Sequence, residues 1–115
     1  PDKIVVALGT NDFLEGLQER IDAFYRRLDE VYHGIPALVI TPVWRGDDPK
    51  KAGELGIKRE LIQTACRAYP NIRTVDGSEL IPPISYCFWD NLHPNAWGME
   101  HYAENLIERI KELNF

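Results

Sequence analysis

The chain has 115 residues, 44% of them hydrophobic and 27% charged, with a formal net charge of −5. These values fit one globular domain, and the negative charge without any basic stripe argues against nucleic-acid or anionic-membrane partners. No apolar run approaches the ~20 residues that cross a bilayer. Cys66 and Cys87 are too few and too far apart for a disulfide framework or a zinc knuckle, so we expect two buried thiols, which favours a cytoplasmic location.

The first half of the chain predicts two strands separated by a helix. Residues 4–8 form an apolar, β-branched run typical of a strand buried on both faces, and the turn at residues 9–12 ends it. Apolar residues at three- and four-residue spacing then predict a helix over residues 14–32, which Gly34 ends. Residues 35–40 predict a second buried strand.

The second half continues the alternation and then becomes irregular. A polar loop at residues 44–49 leads to a helix whose periodic positions, Lys58 among them, run over residues 55–69. Residues 72–75 predict a third short strand, and residues 78–92 an irregular loop. The last helix is expected to begin at Pro94 or Asn95. Its predicted buried face consists of Met99, Tyr102, Ala103, Leu106, Ile107, Ile110 and Leu113.

This order of elements predicts parallel strands joined by right-handed helical crossovers. We expect a single domain over residues 1–115, incomplete at its N-terminus because a domain rarely opens on a fully buried strand. Ligands bind such sheets beyond the carboxyl ends of the strands. Residues 9–12, residues 44–49 and the loop with Asp90 and His93 should therefore meet at one edge.

Asp90-Asn91-Leu92-His93-Pro94 places an acid and an imidazole three residues apart, just before the last helix. Taken singly, Asp90 could be an ordinary turn residue, and His93 could cap the helix or contact the backbone. Together they would let the carboxylate accept from one imidazole nitrogen while the other faces a substrate, as an acyl-transfer triad requires.

Asn11 follows the first predicted strand, in Gly9-Thr10-Asn11-Asp12. It could be a turn former, because Asn tolerates such bends. Its side-chain amide could equally donate a hydrogen bond to a developing oxyanion. Asp12 is expected to cap the following helix.

The two blocks resemble those of the SGNH hydrolases, also called GDSL-type esterases. Gly9-Thr10-Asn11-Asp12 matches the family's G-x-N-D block and Asp90-Asn91-Leu92-His93 its D-x-x-H block, while Pro94-Asn95 and Gly98 fit the usual continuation. The resemblance covers essentially the whole chain, as the C-terminal half to two-thirds of such a domain. It implies a three-layer, flavodoxin-like α/β fold whose parallel sheet is flanked by helices and here lacks the N-terminal strands.

By resemblance, Asn11 is an oxyanion donor, His93 the general base and Asp90 its orienting acid. The family's nucleophilic Ser lies in a Gly-Asp-Ser block, and a further oxyanion Gly lies in a second block. Both blocks precede the G-x-N-D block in the family, so by resemblance both would fall before Pro1. Ser78 and Ser85 lie outside any such block. The resemblance therefore implies a serine esterase that works through an acyl-enzyme without metal or organic cofactor, and predicts that the isolated chain is inactive.

The expected substrate is a small-molecule or carbohydrate ester. Trp44 and Arg45 leave the second strand at its carboxyl end, and Trp89 leads into the Asp90 loop, so these three are the predicted substrate-binding residues. Tyr86 and Phe88 are further candidates. Core packing is the alternative for each aromatic side chain.

Two other classes of function are open from the sequence. One is an inactive fragment or interaction module, which pairs with an N-terminal segment of the same protein or with itself through the unprotected edge at residues 4–8. The other is a metal-binding module using Asp90, His93 and either Glu100 or His101. It is disfavoured because further ligands do not converge and no thiol cluster helps.

Overall fold

The computed structural model describes residues 1–115. Three parallel strands form one sheet in the order of the chain: β1 (Ile4–Ala7), β2 (Ala37–Ile40) and β3 (Ile72–Val75). The helices follow the strands in turn: α1 (Leu17–Val31), α2 (Pro49–Cys66) and α3 (Ala96–Leu113). Two 3₁₀ turns, Gly77–Glu79 and Ser85–Cys87, lie in the long segment before α3. The predicted parallel α/β class is confirmed.

Helices cover both faces of the sheet, because successive strand residues point to opposite sides. Val6 and Val39 pack beneath α1 and α2, in a core that also contains Ile21 and Ile62. Leu38 and Ile40 face the other way and belong to a second core, against which partly buried residues of α3 pack. The result is a three-layer arrangement. None of the helices has the length and apolar character needed to cross a membrane.

The expectation that the first strand is buried on both faces is wrong. Only Val6 of β1 is buried, whereas the side chains of Val5 and Leu8 are 59% and 60% exposed. The reason is positional. β1 is an edge strand with a neighbour on one side only, and α3 packs over β3 and the second 3₁₀ turn.

The predicted start of the first helix also needs correction. α1 begins at Leu17, after Gly16 in the left-handed conformation with φ 65°, and no side chain caps it. Asp12 lies too far upstream to do so. Arg20 instead holds the approach to the helix, donating to the main-chain oxygens of Phe13 and Glu15 at 2.8 and 2.7 Å.

α3 begins at Ala96, with Asn95 as its cap: the Asn95 side-chain oxygen accepts from the Gly98 N–H at 3.0 Å. Its predicted buried face is partly wrong, since α3 packs on the core over β2 and β3 along only part of that face. The stripe left exposed contains Met99, Ala103 and Ile107. The four predicted residues that do pack on the core are Tyr102, Leu106, Ile110 and Leu113. Both cysteines are free and buried, as predicted.

Candidate active site

The Asp90–His93 segment is a tight turn organised by the Asp90 carboxylate. Its Oδ1 accepts from the main-chain N–H groups of Leu92 and His93 at 3.0 and 2.7 Å. Asn91 adopts the left-handed conformation, with φ 59°, that such a turn requires and that Asn tolerates. The turn brings the imidazole back over the acid, so that His93 Nδ1 lies 2.6 Å from Asp90 Oδ2.

These hydrogen bonds determine which imidazole nitrogen is available. The main-chain bond from His93, the bond from its ring and the bond from Leu92 together lower the pKa of Asp90 to about 2. The carboxylate is therefore ionised at neutral pH and can only accept, so Nδ1 carries the proton. In the neutral ring Nε2 is then unprotonated, and the side chain is 71% exposed. This arrangement can accept a proton from a group placed beside Nε2.

The turn is attached to the start of α3 by a short closed loop. Trp89 N–H donates to His93 O at 2.9 Å, and Asn95 N–H donates to Cys87 O at 3.0 Å. Gly98 permits this approach, since a Cβ built on it would lie only 2.2 Å from Cys87 O. The position of His93 relative to the sheet thus depends on the absence of a side chain at residue 98.

Asn11 lies in the turn that follows β1. Gly9, with φ 117°, bends the chain, and its carbonyl accepts from Asp12 N–H at 3.4 Å. The next carbonyl, of Thr10, accepts from Arg45 Nη1 at 3.3 Å and from Lys58 Nζ at 3.1 Å. Asn11 itself is exposed, and its main-chain N–H donates to no other main-chain group. Its donors can therefore serve a bound ligand.

The loop after β2 connects these two turns. Arg45 is 3% exposed and makes a two-point pair with Asp47, with both N···O distances 2.7 Å, besides its bond to Thr10. The next residue, Gly46, donates its N–H to Asn91 O at 2.7 Å. The three segments that the sequence places at the carboxyl edge of the sheet are therefore in contact through this loop.

The predicted substrate-binding aromatics differ in exposure. Trp44 is half-buried and packs against the buried Phe88, with ring centroids 4.9 Å apart. Trp89 is 78% exposed, and Tyr86 is exposed beside Trp97 with ring centroids 5.8 Å apart. Of this set, Trp89 and Tyr86 present most of their surface to solvent, and the substrate-binding roles stay predictions.

Sequence reasoning did not assign any role in the site to Lys58. The side chain is 2% exposed although it is charged. A signal was present, because Lys58 occupies a position of the apolar helical repeat where a charged residue is costly. No group of three or more His, Cys, Asp or Glu side chains is placed to hold a metal ion.

Two solved structures share this fold. A GDSL-like lipase from Bacteroides ovatus superposes with a TM-score of 0.84 at 16% identity, over 96% of this chain and 35% of the lipase. The salicylyl-acyltransferase SsfX3 from a tetracycline biosynthetic pathway superposes with a TM-score of 0.77 at 19% identity, over 98% of this chain and 38% of that protein. No protein-family model matches the chain, and no curated protein is significantly similar to it.

The chain therefore shares the fold of a GDSL-like lipase and of an acyltransferase. The chain spans little more than a third of the length of either solved protein.

Proposed function

We propose that these residues form part of the active site of a serine esterase, which cleaves carboxylic esters through an acyl-enzyme. The observation that carries the proposal is the 2.6 Å contact between His93 Nδ1 and Asp90 Oδ2, which leaves Nε2 free. The exposed Asn11 at the same edge of the sheet supports it, as does a fold shared with a GDSL-like lipase and an acyltransferase.

The first half of the reaction forms the acyl-enzyme. A serine hydroxyl attacks the ester carbonyl carbon while its proton passes to His93 Nε2. Asp90 accepts from the protonated ring and stabilises its charge. Asn11 donates to the oxygen of the tetrahedral intermediate, which bears the negative charge.

The second half releases the acid. The intermediate collapses, the C–O bond to the alcohol breaks, and His93 returns the proton to the leaving oxygen. Water then attacks the acyl-enzyme and gives a proton to His93. As the second tetrahedral intermediate breaks down, that proton returns to the serine oxygen and the carboxylic acid leaves. If an alcohol replaces the water, the same residues catalyse acyl transfer.

The proposal takes the serine from outside these 115 residues. Ser78 donates its hydroxyl to Asp76 Oδ1 at 2.7 Å, and Ser85 opens the second 3₁₀ turn. Neither hydrogen-bonds to His93. A parallel strand added at the free edge of β1 would bring its own carboxyl end to the edge that carries Asn11. A serine that follows such a strand would reach the site.

The proposed substrate is a small-molecule or carbohydrate ester, in contact with Trp44 and Trp89. Arg45 was predicted to touch the substrate as well. Its guanidinium is buried and already paired with Asp47 and Thr10, so direct contact would require breaking that pair. In the proposal Arg45 therefore contributes by holding the loop.

Ester hydrolysis with and without the remaining sequence tests the function. We expect the complete protein that contains these residues to hydrolyse a nitrophenyl ester and to be labelled by a fluorophosphonate. His93→Ala should abolish turnover, whereas His33→Ala, which removes an exposed imidazole just beyond the end of α1, should not. The 115 residues alone should neither hydrolyse the ester nor be labelled by the fluorophosphonate. Turnover by the short chain that is lost in His93→Ala would place the nucleophile within it, and a complete protein inactive on every ester would refute the function.

A second candidate is an interaction module, favoured by the open edge of β1. Val5 and Leu8 are exposed there, and a cavity of ≈ 190 Å³ lined by Leu8, Phe24 and Tyr25 lies alongside. In this proposal the edge pairs with an N-terminal segment of the same protein or with a second copy. Light scattering should then show association that Val5→Lys weakens and Val31→Lys, at another exposed valine, does not. A stable monomer at micromolar concentration would count against it.

A further inference from the structure

Resting on the proposed function, we propose that Arg45 and Lys58 are positioning residues for Asn11. Together they hold the peptide group between Thr10 and Asn11, so that the Asn11 main-chain N–H and side-chain amide both face the oxyanion. Neither cation touches the substrate. They act through the carbonyl oxygen of Thr10.

Burial and convergence make these two cations unusual in the molecule. Arg45 and Lys58 are 3% and 2% exposed, and they are the only buried charged residues of the chain. Arg45 reaches the Thr10 oxygen from 35 positions away and Lys58 from 48, so two distant elements meet at one carbonyl. That carbonyl belongs to the same peptide unit as the Asn11 N–H.

The burial of Lys58 is costly, and the hydrogen bond to Thr10 offsets part of the cost. Desolvation lowers the pKa of Lys58, while Glu54 opposes the shift. Arg45 has Asp47 as a partner, but the Thr10 oxygen is the only hydrogen-bond acceptor of Lys58. An apolar residue could fill this position of α2 without the desolvation cost. What it could not do is hold the Thr10 carbonyl in one orientation.

Holding the carbonyl has two consequences for Asn11. The plane of the peptide is fixed, so the direction of the Asn11 N–H no longer depends on a solvated turn. Two cationic donors on the oxygen also polarise the peptide, which strengthens the N–H as a donor at its other side. That N–H has no main-chain acceptor in the structure and is free to bind an oxyanion.

The loop after β2 also connects the Asn11 turn to the turn that carries His93, the proposed general base. Gly46, next to Arg45, donates to Asn91 O at 2.7 Å, inside the turn that orders His93. Arg45 therefore sets the position of the oxyanion donors relative to the imidazole, whereas Lys58 acts on the Asn11 side alone.

A double-mutant cycle in the complete protein tests the proposal. Lys58→Met removes the charge and the donor but keeps the length of the side chain. We expect kcat for a nitrophenyl ester to fall ~10- to ~100-fold, as a misplacement of about 1 Å can cause, with KM within twofold. Combined with Asn11→Ala, Lys58→Met should slow the reaction by a smaller factor than it does in the wild type, because one of the two donors that Lys58 positions is then already gone. Additive losses would overturn the proposal.

Arg59→Met is the matched control. Arg59 is the next residue of α2 and also donates to a loop carbonyl, that of Pro42 at 2.8 Å. Its loss should lower the free energy of unfolding without changing kcat. If both variants lower kcat equally, Lys58 has only a structural role. Should Lys58→Met fail to fold, Lys58→Gln, which retains a donor, should keep most of the wild-type kcat; a Gln variant that folds but loses as much as Asn11→Ala would contradict the proposal.

Amide NMR separates this proposal from the esterase function. In ¹⁵N-labelled protein, Lys58→Met should shift the Asn11 amide signal and increase its ps–ns mobility, while Arg59→Met should leave it unchanged. Unchanged Asn11 order in Lys58→Met would refute the positioning role whatever the activity. A wild-type protein that hydrolyses no ester, but in which Asn11 loses order on Lys58→Met, would refute only the esterase function.

Discussion

The two halves of the candidate site are held in different ways. The Asp90–His93 turn is organised almost entirely by its own residues, since the carboxylate of Asp90 accepts from two N–H groups and one ring within the next three positions. The Asn11 turn has only one bond of its own, from Asp12 to Gly9 at 3.4 Å. Its order comes from Arg45 and Lys58, on other elements.

The Asp90–His93 turn is therefore held by local contacts, and the Asn11 turn by tertiary contacts. The acid–base pair needs only a few residues in sequence, so its geometry should tolerate changes elsewhere in the domain. The position of Asn11, the proposed oxyanion donor, depends on α2 and on the loop after β2, so substitutions far away in sequence should affect it first. The following substitutions test this contrast, beginning with the largest expected effect.

Asp90→Asn should have the largest effect on catalysis. The amide removes the negative charge and favours the wrong imidazole tautomer, which costs ~10⁴ in kcat in a protease triad. We expect a loss of that order in the complete protein. Asp29→Asn is the matched control, because Asp29 pairs with His33 at 3.3 Å on the surface of α1. A loss in kcat below about tenfold for Asp90→Asn would show that Asp90 and His93 do not act as the acid and base of a triad.

Asn11→Ala should reduce kcat by ~10²–10³, the loss seen when one oxyanion donor is removed. This loss is smaller than the loss expected for Asp90→Asn, because the Asn11 main-chain N–H is retained. Stability should hardly change, since the side chain is exposed. Asn105→Ala should do the opposite: it breaks a 3.0 Å bond to Leu80 O and lowers the free energy of unfolding without slowing catalysis. Equal kcat for wild type and Asn11→Ala would remove Asn11 from the site.

Gly98→Ala should destabilise the domain by ~1–3 kcal/mol, because the new methyl group would overlap Cys87 O and push α3 away from the His93 loop. Gly53→Ala, inside α2, meets nothing within 4 Å and should stabilise by up to ~1 kcal/mol through helix propensity. Urea unfolding measures both. Equal responses would mean that close packing at residue 98 does not hold the loop.

The smallest expected effect is on the pH dependence of stability. The pKa of Asp90 is lowered to about 2 in the folded chain, against ~3.9 when unfolded. The unfolded chain therefore binds the proton first as the pH falls. Stability from this group is present above about pH 4 and is lost as the pH falls through about 2. Asp90→Asn should be less stable than wild type at pH 6 and equal to it at pH 2; a difference independent of pH would contradict the local hydrogen bonding.

Local patterns predicted the features that depend on neighbours in sequence. The alternation of strands and helices and the position of β3 follow from periodicity and turn residues. The contact between Asp90 and His93 follows from their spacing, because an Asp side chain can bond the N–H groups two and three residues ahead. By contrast, the expected cap of α1 by Asp12 was wrong, since the sequence offered no means of seeing that residues 13–16 would extend the turn.

What the tertiary structure alone decided is which surfaces are covered and which distant groups meet. The apolar run at residues 4–8 indicates a strand, and the resemblance implies that it is an edge, but neither shows which face of it the helices cover, so the exposure of Val5 could not be predicted. The same limit applies to Lys58 and Arg45. Residue types and helical spacing indicate where each side chain begins, but their convergence on the Thr10 carbonyl depends on how α2 packs across the sheet, a consequence of contacts far apart in sequence.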